Sequence, residues 1–311
     1  MIWIIGSGNM ASQYARVLTY KKIKFQVIGR SKKSCDRFSK ENDISVFSGG
    51  IENFLSKNYY LPDYAIVCVN INSLYKVTMK LMSKGIKKIL CEKPGSLNIN
   101  DLKKLNQKSI KENTDIFIAY NRRFYGSVSK LRNMIKLDNG LNAVHFDFTE
   151  KSKKIKNLKH PKNVKSRWVI ANSAHVIDIV FFLSGFPSKF ISYHEGGLSW
   201  HKKSSIFLGS GMTKKNVYFT YNSNWNIEGN WKIEFMTKKN RLLLEPMEDL
   251  KVIKENSKYS LLNNKKINYD KMFKPGLYRM LSKFHKSDYQ DFCSLSEQIE
   301  LIKICNRIAG Y

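Results

Sequence analysis

The chain has 311 residues, 42% hydrophobic and 25% charged, which is the composition of a soluble globular protein with room for two domains. No apolar run reaches the roughly 18 residues of a membrane span, and the apolar start at residues 2–5 is too short for a signal peptide and reads as a strand. The net charge of +29 reflects 54 Lys and Arg against 25 Asp and Glu. Because the cations are spread without a block of five in succession, we expect solvated lysine-rich faces. An anionic small-molecule substrate ranks next, and neither nucleic acid nor membrane is expected as a partner.

In chain order, apolar strands are predicted over residues 2–5, 25–28, 44–47, 64–69, 88–91 and 116–119, with helices over 9–20, 32–40, 74–83 and 99–110. Short apolar strands alternating with helices predict a doubly wound parallel sheet. After residue 120 the pattern changes to two-residue alternation at 144–148 and 217–221, continued by strands at 231–236 and 242–244, which predicts a large, mostly antiparallel open sheet. Helices are expected at 174–183 and 295–308, and a polar loop or surface hairpin at 251–270. The fold class is therefore α/β, with a Rossmann domain at 1–120 and an α/β substrate-binding and oligomerisation domain at 121–311. The two are expected to meet at a cleft, with the final helix packing back near the junction.

Gly6-Ser7-Gly8-Asn9-Met10-Ala11 follows the first strand and opens the first helix as G-x-G-x-x-A. The first glycine permits a tight turn, the second lets backbone approach a pyrophosphate, and Ala11 allows close helix–strand packing. Gly6, Ser7, Gly8, Asn9 and Met10 are thus candidate dinucleotide contacts. The second strand ends in Gly29-Arg30-Ser31-Lys32, with no carboxylate for a ribose 2′-OH. Arg30 and Lys32 can pair with a 2′-phosphate and Ser31 can donate to it, which favours NADP over NAD. Five scattered cysteines without C-x-x-C spacing indicate thiols in a reducing compartment, and six histidines without ligand spacing predict no metal.

Cys91-Glu92-Lys93-Pro94-Gly95 follows the fifth strand, and Ala119-Tyr120-Asn121-Arg122-Arg123-Phe124, Ser173-Ala174-His175-Val176-Ile177-Asp178 and Lys274-Pro275-Gly276-Leu277-Tyr278 succeed it in order. Together with the glycine turn, these segments resemble the Gfo/Idh/MocA oxidoreductase family over essentially the whole chain. The resemblance implies that Lys93 of the E-K-P tripeptide reaches the nicotinamide and the reacting oxygen, oriented by Glu92. It implies that Pro94 fixes the turn through a cis bond, and that His175 is the acid or base on the substrate hydroxyl. It also implies nicotinamide-ribose contacts from Asn70 and Asn72, and substrate or cofactor contacts from Asn121, Arg123, Asn172 and Asp178. The chain departs from the family pattern where relatives carry an aspartate four residues before the histidine: Ala171 stands there, with Ser173 in place of a glycine. Asn172 offers a hydrogen-bond donor nearby but no charge.

The expected activity is hydride transfer between NAD(P) and a carbonyl or secondary alcohol of a sugar, sugar nucleotide or polyol-like substrate, in a cytoplasmic homodimer or higher homo-oligomer. The alternatives are a non-catalytic NADP-binding regulator of the same fold, or an NAD-dependent epimerase or lyase.

Overall fold

The computed structural model describes residues 1–57, 60–254, 260–261 and 268–311. The elements of the first 120 residues are β1 (Ile2–Ile5), α1 (Asn9–Tyr20), β2 (Phe25–Ile28), α2 (Lys32–Asn42), β3 (Val46–Phe47), α3 (Gly50–Lys57), β4 (Tyr64–Val67), α4 (Ile71–Ser83), β5 (Lys88–Glu92), α5 (Ile99–Lys111) and β6 (Asp115–Ala119). There follow a 3₁₀ turn, Asn121–Phe124, and α6 (Gly126–Leu137), β7 (Ala143–Phe148), α7 (Ser152–Lys156), α8 (Lys162–Lys165), a π-helical turn at Val169–Ser173, α9 (Ala174–Ser184), β8 (Pro187–Glu195), β9 (Ile206–Thr213), β10 (Tyr218–Asn224), β11 (Trp231–Met236), β12 (Asn240–Leu244), β13 (Leu250–Lys254) and β14 (Ser260–Leu261). The chain closes with α10 (Tyr269–Met272), α11 (Leu277–His285), β15 (Cys293–Ser294) and α12 (Leu295–Ala309).

Two compact units result: residues 1–120 with 272–299, and 121–271 with 300–311. Among the described residues the first unit holds a seven-stranded sheet in the order β15-β6-β5-β4-β1-β2-β3. β1 to β6 run parallel and β15 is antiparallel at the edge. This is the doubly wound Rossmann order, with its reversal between β1 and β4, where such sheets leave a crevice at the carboxyl ends of the strands. β1 and β4 are buried at every position because helices cover both faces, which explains why they read as unbroken apolar runs.

Residues 272–299, expected in the second domain, return to the first. β15 sets Cys293 opposite Ile118, and Phe117 packs against Phe284, Tyr289 and Phe292, with ring centroids 4.5 Å apart at Tyr289. α11 presents Leu277, Met280, Leu281 and Phe284 on one buried face, the i, i+3, i+4, i+7 spacing of an amphipathic helix.

The second unit is built on an eight-stranded sheet, again among the described residues, in the order β14-β13-β12-β11-β7-β10-β9-β8. Only β7 and β10 pair in parallel. α9 is buried nearly all round and packs on β7 and β11. β13 and β14 form an antiparallel pair within the stretch expected to be a loop or hairpin, and residues 255–259 and 262–267 of that stretch lie outside the described residues. β8 and β9 were not anticipated. Most of β8 is exposed, and Gly209 and Gly211 interrupt β9, so neither shows the half-buried alternation of a typical strand. Among the described residues no helix is long and apolar enough to cross a membrane.

Candidate active site

A pocket of about 500 Å3 opens where the sheet order reverses, lined by Gly6, Ser7 and Gly8 after β1, by Arg30 and Ser31 after β2, and by Cys68, Val69 and Asn70 after β4. Gly6 has φ of +131°, and a Cβ there would lie 2.6 Å from the Cys68 carbonyl oxygen, so the turn admits only glycine. Gly8 differs: a Cβ would meet no protein atom within 4 Å. The space beside Gly8 is not filled by the fold, and Gly8 is the N-cap of α1 with no side chain capping it, so the helix start can offer N–H groups to a pyrophosphate. The residues present therefore fit a dinucleotide.

At the adenosine side, Ser31 caps α2 by accepting from the Ser34 amide at 3.3 Å, and the Ser7, Ser31 and Ser34 hydroxyls form a chain at 2.9 and 2.8 Å. Arg37, one turn into α2, joins Arg30 on the wall. A carboxylate is present as well, since Glu52 lines the pocket, but it is paired with Lys80, whose hydrogen bond and charge hold its pKa below the usual carboxylate range. Asn70 is the N-cap of α4 and accepts from Ser73, because β4 ends at Val67, earlier than expected. Asn9, Met10, Lys32 and Asn72 are not among the residues lining this pocket.

Glu92 ends β5, and its Oε1 accepts a 2.7 Å hydrogen bond from Tyr14 of α1. Burial raises the Glu92 carboxyl above its ordinary value, opposed by the Tyr14 hydroxyl and by the charges of Lys93 and Lys274. Burial and the adjacent carboxylate push the Tyr14 hydroxyl well up. The following Lys93–Pro94 peptide is cis, and the Pro94 carbonyl is held by Gln298 at 3.0 Å. The E-K-P turn is thus fixed on both sides of Lys93. Tyr14 and Gln298 were invisible to motif reading because their contacts span 78 and 204 residues.

In the second unit, His175 occupies the first turn of α9, 7% exposed, its ring centroid 6.4 Å from that of Trp231. Arg123 and Asp178, expected as substrate contacts, bind each other in a buried bidentate pair with N–O distances of 2.6–3.1 Å. Asn121 is buried in the 3₁₀ turn of this unit. Asn172 lines a second pocket of about 440 Å3, together with Glu150, Lys151, Lys154, Trp168 and Trp231. Here lies the residue that sequence reading missed. Glu150, two positions beyond β7, accepts from Asn172 Nδ2 at 2.9 Å and from Ser173 Oγ at 2.8 Å, so a carboxylate stands beside the His175 helix although Ala171 carries none. The π-helical turn over Val169–Ser173 presents both donors; such turns recur at functional sites. Among the described residues no group of three or more His, Cys, Asp or Glu is arranged to hold a metal ion.

Residues 1–120 match the model of the Gfo/Idh/MocA oxidoreductase family, NAD-binding Rossmann fold. No curated protein matches the sequence significantly. Similar solved structures include UDP-N-acetylglucosamine 3-dehydrogenase from Acidithiobacillus ferrooxidans, with TM-score 0.77 and 11% identity, covering 99% of this chain and 96% of that one. A dehydrogenase from Clostridium difficile gives TM-score 0.77 at 16% identity, covering 99% and 98%. An oxidoreductase from Agrobacterium radiobacter, solved with NAD+, L-tartaric acid and magnesium, gives 0.77 at 11%, covering 98% and 94%. The match makes residues 1–120 an NAD-binding Rossmann domain of the Gfo/Idh/MocA oxidoreductase type, and the solved structures share the fold of the chain on both sides of residue 120.

Proposed function

We propose that the protein transfers a hydride between the nicotinamide of NADP and a carbonyl or secondary alcohol of a sugar, sugar nucleotide or polyol-like substrate. The observation that carries this reading is the pairing of a dinucleotide pocket bearing two arginines with the fixed Glu92-Lys93-Pro94 turn that follows β5. The cofactor, when bound, supplies the hydride acceptor or donor. Gly6 and Gly8 admit its pyrophosphate, while Arg30, Arg37 and the Ser31–Ser34 hydroxyls bind a 2′-phosphate. Lys93 places an ammonium against the reacting oxygen and stabilises the negative charge that grows there. His175 takes the hydroxyl proton on a ring nitrogen in the oxidative direction and returns it in the reductive one.

A homodimer and a cytoplasmic setting belong to the same reading. The five cysteines are all free and buried, as suits a reducing compartment. Ile191, Tyr193, Leu208 and Tyr218 are 42–66% exposed. The strand register (Ile191↔Ser210, Tyr193↔Leu208, Tyr218↔Met212) puts all four on one sheet face, a patch of the kind subunits cover.

The test follows the nicotinamide absorbance with NADPH or NADH against a panel of sugars and their oxidised forms. Lys93→Ala and His175→Ala are expected to lower kcat about 10²–10⁴-fold with cofactor binding kept. Arg30→Ala is expected to weaken NADPH binding about tenfold or more and leave NADH unchanged, the loss of one charge-assisted contact. Tight NADPH binding with no substrate-dependent change in either direction would overturn the catalytic reading in favour of a cofactor-binding regulator.

A further inference from the structure

We infer that the pocket of the second unit takes an anionic sugar, with Glu150 accepting hydrogen bonds from ring hydroxyls and Lys151 and Lys154 meeting an acidic substituent. The inference rests on the hydride-transfer reading in that this sugar is the molecule on which His175 acts.

Three features of the cavity point to that ligand. Its volume of about 440 Å3 lies within the range of small-molecule sites, and Trp168 and Trp231 give it apolar walls suited to a sugar's C–H faces. Trp231 is itself fixed by the Arg122 guanidinium 4.3 Å from its ring centroid, and its other close ring partner is His175. Trp231 therefore stands beside both the pocket and the candidate acid–base group, which is not itself among the lining residues.

The lining carries polar groups of both signs. Glu150 is only 6% exposed and is held by Asn172 and Ser173, so the carboxylate is positioned rather than mobile. A carboxylate accepts hydrogen bonds and repels anions, so it selects the hydroxyl-bearing part of a ligand. Lys151 and Lys154 line the same cavity as exposed cations and select the anionic part. Residues 151–167 contain eight Lys and Arg and no Asp or Glu, so the segment that follows Glu150 is uniformly basic. On the wall, the Trp168 indole N–H is buried without a partner, leaving a donor that an oxygen-rich ligand can satisfy. A neutral polyol would leave the cations unused, and an anion without hydroxyls would leave Glu150 facing like charge. A sugar phosphate, a uronate or a sugar nucleotide satisfies both the carboxylate and the cations.

The test uses the full chain saturated with NADPH, so that the dinucleotide pocket is filled and its occupancy is established separately. Titration calorimetry is run with glucose 6-phosphate, glucuronate, UDP-glucose, glucose and inorganic phosphate. At least one of the three anionic sugars is expected to bind at least tenfold more tightly than glucose. Lys151→Gln with Lys154→Gln is expected to weaken that ligand about tenfold, a loss of roughly 1.4 kcal/mol, and to flatten its salt dependence. Glu150→Gln is expected to weaken the anionic sugar while leaving inorganic phosphate unchanged or tighter, a split that general damage to the pocket does not produce. Lys103→Gln, an exposed lysine of α5 outside both pockets, is the control and is expected to change nothing. The inference is overturned if no anionic sugar binds the NADPH-saturated protein, or if one binds and neither lysines nor Glu150 affect it. The cofactor is added as NADPH, which finds no ketone to reduce in these ligands, so binding is read without turnover, and failure of this assignment and failure of the hydride-transfer reading give different results.

Discussion

Two glycines, Gly6 and Gly8, do different work in one turn, and a pair of substitutions separates them. Gly6 is demanded by the fold, through its positive φ and the Cys68 carbonyl 2.6 Å from a built Cβ. Gly8 is demanded by nothing within 4 Å. Gly6→Ala is therefore expected to destabilise the protein by about 1–3 kcal/mol, seen as a lowered midpoint in urea. Gly8→Val is expected to leave that midpoint within about 0.5 kcal/mol and to abolish NADPH binding in fluorescence titration. If Gly8→Val still binds NADPH, the pyrophosphate does not lie against this turn. The turn was legible in the sequence because glycine spacing after a strand is a local rule. Glu150 was not, because nothing local marks the second residue beyond a strand as the partner of Asn172 and Ser173 more than twenty positions later. Nor could sequence show that Arg123 and Asp178, both expected as ligand contacts, would pair with each other.

At the scale of elements, the π-helical turn that carries Asn172 and Ser173 is anchored from outside. The Val169 amide donates to the Tyr311 hydroxyl at 3.2 Å, that hydroxyl lies 2.6 Å from His201 Nε2, and His201 Nδ1 lies 2.6 Å from the Ser204 carbonyl. Assigning the proton to Nδ1 makes every bond in the chain consistent: Nδ1–H donates to Ser204 and Nε2 accepts from Tyr311. Burial lowers the His201 pKa, and Arg167 adds to the effect against the backbone hydrogen bonds. The folded state therefore resists protonation more than the unfolded chain does. This contribution to stability is complete above about pH 6.5, the unfolded value, and is lost as pH falls through the lowered folded value. Unfolding midpoints measured from pH 8 to pH 5 are expected to decline on the acid side, and His201→Gln to flatten that decline. An unchanged slope would show that His201 does not set it. The parallel strands were readable as apolar runs because helices bury both their faces, whereas β8 and β9 were hidden by an exposed apolar face and two glycines.

For the whole molecule, the same exposed face is the test of assembly. The patch of Ile191, Tyr193, Leu208 and Tyr218 predicts a dimer by sedimentation at micromolar concentration. Tyr193→Glu combined with Leu208→Glu is expected to yield a monomer with little change in melting temperature, since neither side chain is buried within the chain. A wild-type protein that sediments as a monomer would remove this reading. The division of the chain into units was the least legible large feature. The pattern change near residue 120 was visible, but the return of 272–299 depends on aromatic packing around Phe117 that no periodicity announces.

That return sets a timetable for synthesis. The edge of the first sheet at β6 is made by residue 119, and the strand that covers it, β15, begins at Cys293. At translation rates of about 5–20 residues per second, the edge waits roughly 10–35 s with its backbone donors and acceptors open. An open strand edge is a template for pairing with another chain. The nascent protein is thus most vulnerable to aggregation while its second unit is being made, and any truncation before residue 293 would make that exposure permanent.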